Sequence, residues 1–584
     1  MGSEMCIRDR RHPPRPSPGV IPWRHPPPHP PRHPRGVTPA RRLRRVARIL
    51  PHRSWYAVGQ PVAIEVRGLG DESGSPSQVS AHRLGRLTGR AAVAGDGWVE
   101  LAGPRGEPLA VGGHTVELRT GAGALLARTA IEVAPAGPSA VRYGFVTAYE
   151  SERDLHGVLD WARAMHVTAI QCYDWGYRHA DLLGGGEQYA DPLGNPVDLA
   201  TVRRLIAELH AIGASALGYA AVYAVGAQEW PDWIGHALLD ATGTAYALGD
   251  FLRVVDPAAP AWLAHLGAQL TAAVNEIGFD GFHLDQYGWP KAALRADGTP
   301  VDVARSFVTA IEAVRDLLPE AMLIFNNVND FPTVATSQTA LDATYIEVWP
   351  PHERLADLAG LALRARGASP GRSVVLAAYP SVFTRAPQEE AHESARLLLA
   401  TAYSHGATLL MTGEAGRVLT DPYYPRNHEA APATRELLTR WADFQLGHTD
   451  FLVGPDITDV TGSFAGRYND DVVLTFSGAP TSIAPDPGTV WCRVTRTPAG
   501  LVVHIVNLTA VEQPVWDGPQ PPPHDAGAGF LRLRRVHASA PRVWTADPDT
   551  DGRMQPCRVT VSGTHATAAL PPLRTWLMVW IESR

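Results

Sequence analysis

Two acidic residues of the 584-residue chain stand where a pair of carboxyl groups could work on one bond. FDGFHLDQYG (279–288) reads as a strand in which Phe282 and Leu284 face one way while His283 and Asp285 face the other. In YIEVWP (345–350) the same alternation turns Ile346 away from Glu347. Such a pair does nucleophilic and acid–base work when one member is ionised and the other holds a proton, kept by an apolar setting or by its partner's charge. Trp349 is placed to provide that apolar wall. A lone Asp or Glu at a strand end is more often a helix cap or a loop anchor, so the pair carries more weight than either member. His283 with Asp285 could also begin a metal site. That would require further His or carboxylate ligands on neighbouring strands, and the HxH strand motif of metal-dependent hydrolases is absent. No metal and no organic cofactor are expected.

Further polar and aromatic residues cluster in a few places. IQCYDWGYRHADLL (170–183) brings Tyr173, Asp174, Trp175, Tyr177 and His179 into one strand-to-loop segment. Ring faces interleaved with acids suit a sugar, whose C–H face stacks while its hydroxyls bond carboxylates and amides. For one or two of these residues the plainer role is core packing. Asn326 and Asn327 close another strand, Tyr379 a third, and Gly413 with Glu414 a fourth.

The elements that must position these residues form a regular series between Arg142 and Glu414. Eight apolar stretches (142–150, 168–175, 214–224, 279–288, 321–328, 343–350, 373–380 and 407–414) alternate with helical patterns such as 199–213, 303–319 and 389–406. Eight β-α units predict a central (β/α)₈ TIM barrel, whose active site lies at the C-terminal strand ends. Short alternating runs at 52–137 predict an N-terminal β-sandwich, and a return to pure β pattern predicts another at 446–584. The expected architecture is therefore multidomain α/β, with the barrel over 139–445. Residues 1–50 hold twelve prolines and no periodic apolar face, which predicts disorder. The opening MGSEMCIRDR fits neither a leader nor a fold element, reads as an artefactual start, and assigns no localisation.

Composition excludes several classes. Twelve arginines against two acids in residues 1–50 leave the remainder with 40 basic and 57 acidic residues, an acidic body unsuited to nucleic acid. No apolar run approaches the ~20 residues of a membrane span, so a soluble monomer with no membrane partner is expected. Lys291 is the only lysine and follows Trp289 and Pro290 in a loop, which disfavours a Schiff-base lyase; there is no GK[ST] phosphate loop. Cys6, Cys172, Cys492 and Cys557 lack CxxC spacing, and unpaired thiols are preferred to a Cys492–Cys557 disulfide.

IQCYDWGYRHADLL, FDGFHLDQYG, YIEVWP and MTGEAG, in that order, resemble glycoside hydrolase family 66, the family of dextranases and cycloisomaltooligosaccharide glucanotransferases. The resemblance covers about 139–445, and His283 departs from it. It implies an N-terminal immunoglobulin-like domain, a C-terminal β-sandwich, Asp285 as nucleophile and Glu347 as acid/base of a retaining reaction on α-glucan or isomaltooligosaccharide, most readily α-1,6-linked. It also implies that Tyr173, Asp174 and His179 contact sugar. Trp175, His283, Asn326, Asn327, Trp349, Tyr379 and Glu414 join them as expected contacts from their rim positions. The cyclising transglycosylases of that family carry an extra carbohydrate-binding module in the catalytic region. The eight strands leave no spare ~100-residue gap for one, so hydrolysis is preferred. A barrel that binds glycan without catalysis is the reading from another class, and the retained carboxylate pair counts against it.

Overall fold

The computed structural model of the protein describes residues 47–69, 77–421, 427–466, 468–535 and 540–583. Its centre is a parallel sheet of eight strands: β1 (Tyr143–Val146), β2 (Ala169–Cys172), β3 (Ser215–Ala221), β4 (Gly281–Asp285), β5 (Met322–Val328), β6 (Ala343–Glu347), β7 (Ser373–Ala377) and β8 (Ala407–Leu410). They are hydrogen-bonded in sequence order from β1 to β8. The seam between β8 and β1 is bridged by side chains: the Thr408 hydroxyl donates to the Val141 carbonyl at 2.7 Å, and the Thr147 hydroxyl to Glu414 Oε1 at 3.1 Å.

Each strand is followed by a helix: α1 (His156–Ala164), α2 (Leu199–Ala211), α3 (Pro260–Ile277), α4 (Val303–Leu317), α5 (Thr333–Thr336), α6 (Leu355–Ala368), α7 (Gln388–Ser404) and α8 (Pro432–Gly447). The fifth is a single turn. Local chemistry sets the others' ends. Asp198 caps α2 by accepting from the Ala200 N–H, and Asp302 caps α4 by accepting from Ala304 and Arg305. Each cap ends a small hairpin with the sequence Pro-Val-Asp (Pro196–Asp198 and Pro300–Asp302). Proline begins α3 and α8, and Gly278 ends α3 at φ 93°, a left-handed conformation that glycine adopts without strain.

Two apolar layers result from the alternation of side chains along each strand. Outward residues such as Ile170, Phe282, Leu284, Leu323 and Phe325 pack on Val202, Leu205, Leu270 and Phe307 of the helices. Inward residues Tyr143, Phe145, Leu217, Ile324, Tyr345 and Val375 fill the barrel. At about 25 cal/mol per Å² of apolar area, each of these fully buried side chains contributes roughly 1.5–3 kcal/mol.

Before the barrel, a three-stranded sheet (Arg48–Pro51, Val62–Arg67, Gly97–Leu101) faces a five-stranded one across one cluster that includes Ile49, Ile64, Val79, Val116 and Ile131. The expectation of disorder to residue 50 is therefore corrected at its end: Arg48–Pro51 pairs antiparallel with Ile64–Arg67, and Ile49 and Leu50 are buried. Residues 1–46, on which the rest of that expectation falls, lie outside the described residues. After the barrel, a seven-stranded and a four-stranded sheet share a core with Val494, Ile505, Leu531 and Val579. Cys172, Cys492 and Cys557 are free thiols, and Cys6 lies outside the described residues. No helix among the described residues is long and apolar enough to cross a membrane.

At Gly281, which opens β4, an added Cβ would sit 1.9 Å from the Met322 carbonyl oxygen of β5. Backbone on the far side cannot yield as a side chain would. Gly281→Ala is expected to destabilise the protein by about 3 kcal/mol or more, whereas Gly235→Ala, whose Cβ meets nothing within 4 Å, should stay within about 0.5 kcal/mol of the parent. Thermal or urea unfolding of the two variants checks both.

Candidate active site

The register of the central strands carries Asp285, Asn326 and Glu347 to the same end of the barrel. Leu284 pairs with Phe325, which sets Asp285 level with Asn326, and Asn326 pairs with Tyr345, two residues before Glu347. The Asn326 amide donates to Asp285 Oδ1 at 2.8 Å and to Glu347 Oε2 at 3.1 Å. Nitrogen must be the atom that faces them, because the amide oxygen would meet only acceptors. Two bonds that meet at one nitrogen bring Asp285 Oδ1 and Glu347 Oε2 within about 6 Å of each other.

Each carboxylate also accepts from a tyrosine, Asp285 further from the Gln286 N–H and Glu347 further from Trp349. The Tyr219 hydroxyl of β3 donates to Asp285 Oδ2 at 2.8 Å, and the Tyr379 hydroxyl, just past β7, donates to Glu347 Oε1 at 2.9 Å. Burial, reinforced by the charge of Glu347, pushes the Asp285 carboxyl up to about 7, against the bonds from Asn326 and Tyr219. Burial also raises Glu347, opposed by Asn326 and Tyr379. The pair titrates as a unit and keeps one proton up to near neutral pH.

The loops around the pair are tied down. Gln286 donates to the carbonyls of Asn326 at 2.9 Å and Phe331 at 3.0 Å, pinning the turn after Asp285 to β5. The rings of Trp349 and Tyr379 lie 5.6 Å apart beside Glu347. Tyr173 stands edge to face with Tyr219 at 4.8 Å. Asp174, 8% exposed, has Asp285 and Asp191 as its charged neighbours; burial and these two acids hold its carboxyl well above the usual range. Asp285, Glu347, Asn326, Trp349, Tyr379, Tyr173 and Asp174 are thus gathered at one mouth.

The remaining expected contacts are placed elsewhere. Trp175 is fully buried in the layer between barrel and helices, its indole donating to the Tyr219 carbonyl at 3.2 Å and its ring 4.6 Å from Phe279. Asp174 has φ 46°, which breaks the alternation and sends Trp175 outward. Asn327 faces outward and is also fully buried; it donates to the Tyr345 carbonyl at 2.9 Å and accepts from the Thr336 hydroxyl at 2.7 Å, holding α5 in place. His283 is 2% exposed beneath Asp285, 3.0 Å from the Tyr143 hydroxyl and edge-on to Tyr345 at 4.9 Å; burial lowers it to about 3, so it is a neutral strut in the floor. Glu414 is engaged by Arg153 at 2.6 Å and by Thr147 across the barrel seam. His179 packs on Phe251 at 5.6 Å in the loop after β2, held neutral by burial and by Arg178, which lower it to about 4. As substrate contacts, Trp175, Asn327 and His283 are therefore corrected: the first two face the helix layer, and His283 lies buried in the floor beneath Asp285.

Tyr219, Gln286 and Asp191 were not foreseen. Tyr219 could have been found by carrying the inward parity of His283 to its β3 partner, since the two are directly paired. Asp191 is held by Asn195 and by the N–H groups of Leu193 and Asn195 in a tight loop, and nothing in the local sequence points from it to Asp174. Among the described residues no three His, Cys, Asp or Glu side chains converge as a metal site would require.

A cycloisomaltooligosaccharide glucanotransferase of Niallia circulans is 28% identical over 298 residues, 46% of this chain and 31% of that protein. A dextranase of Streptococcus salivarius is 25% identical over 464 residues, 66% of this chain and 55% of that protein. The chain thus spans 31% of the one relative's length and 55% of the other's. Among solved structures, a Paenibacillus cycloisomaltooligosaccharide glucanotransferase in complex with cycloisomaltoheptaose superposes with a TM-score of 0.81 at 18% identity, covering 92% of this chain and 100% of that one, which establishes a shared fold. The sequence model of glycosyl hydrolase family 66 matches residues 111–580, and with four-fifths of its length inside that match the chain belongs to glycosyl hydrolase family 66.

Proposed function

We propose that the chain is a retaining glycoside hydrolase of α-glucan, with α-1,6-linked, dextranase-like substrates preferred. The observation that carries this reading is the Asn326 bridge, which holds Asp285 Oδ1 and Glu347 Oε2 within about 6 Å. Retaining enzymes need their carboxyl groups ~5–5.5 Å apart, whereas inverting enzymes need ~6.5–9.5 Å to admit a water between them. Asp285 then attacks the anomeric carbon, the bond to the leaving oxygen breaks, and Glu347 gives that oxygen its proton. The resulting glycosyl ester has no charge on Asp285. The charge of Asp285 no longer opposes ionisation of Glu347, whose pKa falls, and Glu347 becomes the base that takes a proton from water in the second step. Every group in this scheme comes from one chain, so a monomer suffices.

Other features support sugar as the ligand. Trp349 and Tyr379 offer ring surface beside Glu347, Tyr173 does so beside Tyr219, and Asp174 is a buried carboxyl for which a sugar hydroxyl is a suitable donor. Printed names of relatives include both a dextranase and glucanotransferases, and a transglycosylase would use the same glycosyl ester with a sugar hydroxyl in place of water. The longest excursion between a barrel strand and its helix is residues 222–259; because this chain covers the solved glucanotransferase in full, product analysis rather than loop length separates hydrolysis from transglycosylation. We infer for the flanking sheets an immunoglobulin-like domain before about residue 138 and a β-sandwich after about 446.

Incubation with dextran, pullulan and starch in parallel, followed by chromatography, tests the substrate: linear isomaltooligosaccharides from dextran are expected. Cyclic products would move the reading to transglycosylation, and products from starch alone would end the α-1,6 assignment.

The roles of the two carboxylates are separable. Glu347→Gln should slow poor leaving groups by about 10²–10⁴-fold and leave activated aryl glycosides much less affected. Asp285→Gly should lose turnover and regain it with azide, giving a glycosyl azide of inverted configuration. Uniform slowing of all substrates by Glu347→Gln, or dextran cleavage by Asp285→Gly without azide, would refute the assignment.

A further inference from the structure

We propose that the connection between the C-terminal strands Gly500–Asn507 and Gly529–Arg534 is a working part of the active site, with Asp517 as a positioning residue for Glu347. This connection leaves its own sheets and lies along the loops after β6 and β7. Pro514 O accepts from the Leu355 N–H at 2.8 Å, the Trp516 N–H donates to Glu353 O at 3.0 Å, and its indole donates to His352 O at 2.7 Å. The Trp516 carbonyl accepts from the Ser394 hydroxyl of α7 at 3.0 Å. Asp517 accepts from the Ser381 hydroxyl at 2.6 Å and the Val382 N–H at 2.8 Å, and pairs with Arg385 at 3.2 Å.

The two segments so gripped are those that hold Glu347. His352 lies three residues past Trp349, and the Ser381 N–H donates to the carbonyl of Tyr379 at 2.8 Å. Tyr379 gives Glu347 one of its three side-chain hydrogen bonds, and Trp349, whose ring lies beside Tyr379, gives another. Asp517 thus holds Ser381, Ser381 holds the carbonyl of Tyr379, and the Tyr379 hydroxyl reaches Glu347. Trp516 is nearly buried, so the contact is packed as well as hydrogen-bonded. Other contacts of the C-terminal sheets are with helices and with the N-terminal sheets, as where Asp549 pairs with Arg396 and Glu582 with Arg86. This one reaches the catalytic mouth.

The titratable groups that face Glu347 are Asp285 from β4, Tyr345 from its own strand and Tyr379 from β7, with His283 below. Asp517 itself faces Arg385. A hydroxyl donating to a carboxylate favours the ionised form, so loss of the Tyr379 bond raises the pKa of the acid/base. This inference rests on the reading of Glu347 given above, and the test separates the two.

The alkaline limb of the pH dependence of kcat/KM on dextran, or on an aryl isomaltoside, is measured for Tyr379→Phe, Asp517→Ala, Asp517→Asn and the double variant Asp517→Ala/Tyr379→Phe. Tyr379→Phe should move the limb upward by about 0.5–1 unit, the worth of one hydrogen bond. Asp517→Ala should move it in the same direction and lower kcat more than it raises KM. Asp517→Asn, which keeps an acceptor for Val382, should recover most of the change. The double variant should show no more shift than Tyr379→Phe alone, because both act through one bond. A lower melting temperature with the limb unmoved in Asp517→Ala, or additive shifts in the double variant, would overturn the proposal. An unmoved limb in Tyr379→Phe would overturn it too, and Glu347→Gln then shows whether the acid/base assignment falls with it: leaving-group-dependent slowing keeps that assignment, and its absence removes it.

Discussion

Two ionised carboxyl groups whose nearest oxygens lie within about 6 Å repel by roughly 3 kcal/mol, taking an effective dielectric near 20. The bridge from Asn326 makes their proximity tolerable. One amide nitrogen donates to both, the hydroxyls of Tyr219 and Tyr379 add one bond each, and burial, reinforced by repulsion, keeps one proton on the pair. Much of the surrounding structure serves to bring these five side chains to one level. They come from five consecutive strand positions around the ring, β3 to β7, so a slip of any one ladder by a residue would turn an inward group outward. Gly281 permits the close approach of β4 to β5, and Gln286 then ties the end of β4 to β5.

The same geometry explains why the rim is built from more than the barrel. The loops that follow parallel strands are the least constrained part of such a fold, and they are the parts that must hold Tyr379 and Trp349 steady. Here the C-terminal sheets extend a connection across the loops of β6 and β7, through Pro514, Trp516 and Asp517. At the opposite face, Arg142 is buried just before β1, paired with Glu132 of the N-terminal sheets at 3.1 Å and donating to the Ser54 carbonyl at 3.0 Å. The barrel is therefore clamped from both flanks, at its floor by one sheet pair and near its mouth by the other.

Much of this was legible in the sequence because it rests on local periodicity. All eight strands begin within two residues of where the pattern places them, and α2, α4 and α7 match the helical stretches at 199–213, 303–319 and 389–406. Strand ends were drawn too long, as at 279–288 against Gly281–Asp285, because the polar and aromatic rim residues continue the alternation after the ladder has stopped. Asp285 and Glu347 could be placed by parity alone. Trp175 could not, since the inversion depends on φ 46° at Asp174, a conformation uncommon for a residue with a Cβ. Asn326 and Asn327 were paired as rim contacts, although neighbours on one strand must face opposite sides; strict parity would have kept only Asn326. Asp517 was beyond reach, being separated from Ser381 by 136 residues in another sheet system.

The central claim is that Asp285 forms a covalent bond to the sugar while Glu347 handles the proton. It is tested most directly by reacting the protein with an activated 2-deoxy-2-fluoro α-glucosyl or isomaltosyl donor, whose ester hydrolyses slowly. Mass spectrometry of the proteolysed adduct then locates the label. The account predicts one glycosyl unit per chain, on the peptide that contains GFHLDQYG and at Asp285, with turnover resuming when an acceptor sugar releases it. A label on any other residue, or no adduct together with a product of inverted anomeric configuration by NMR, would contradict it.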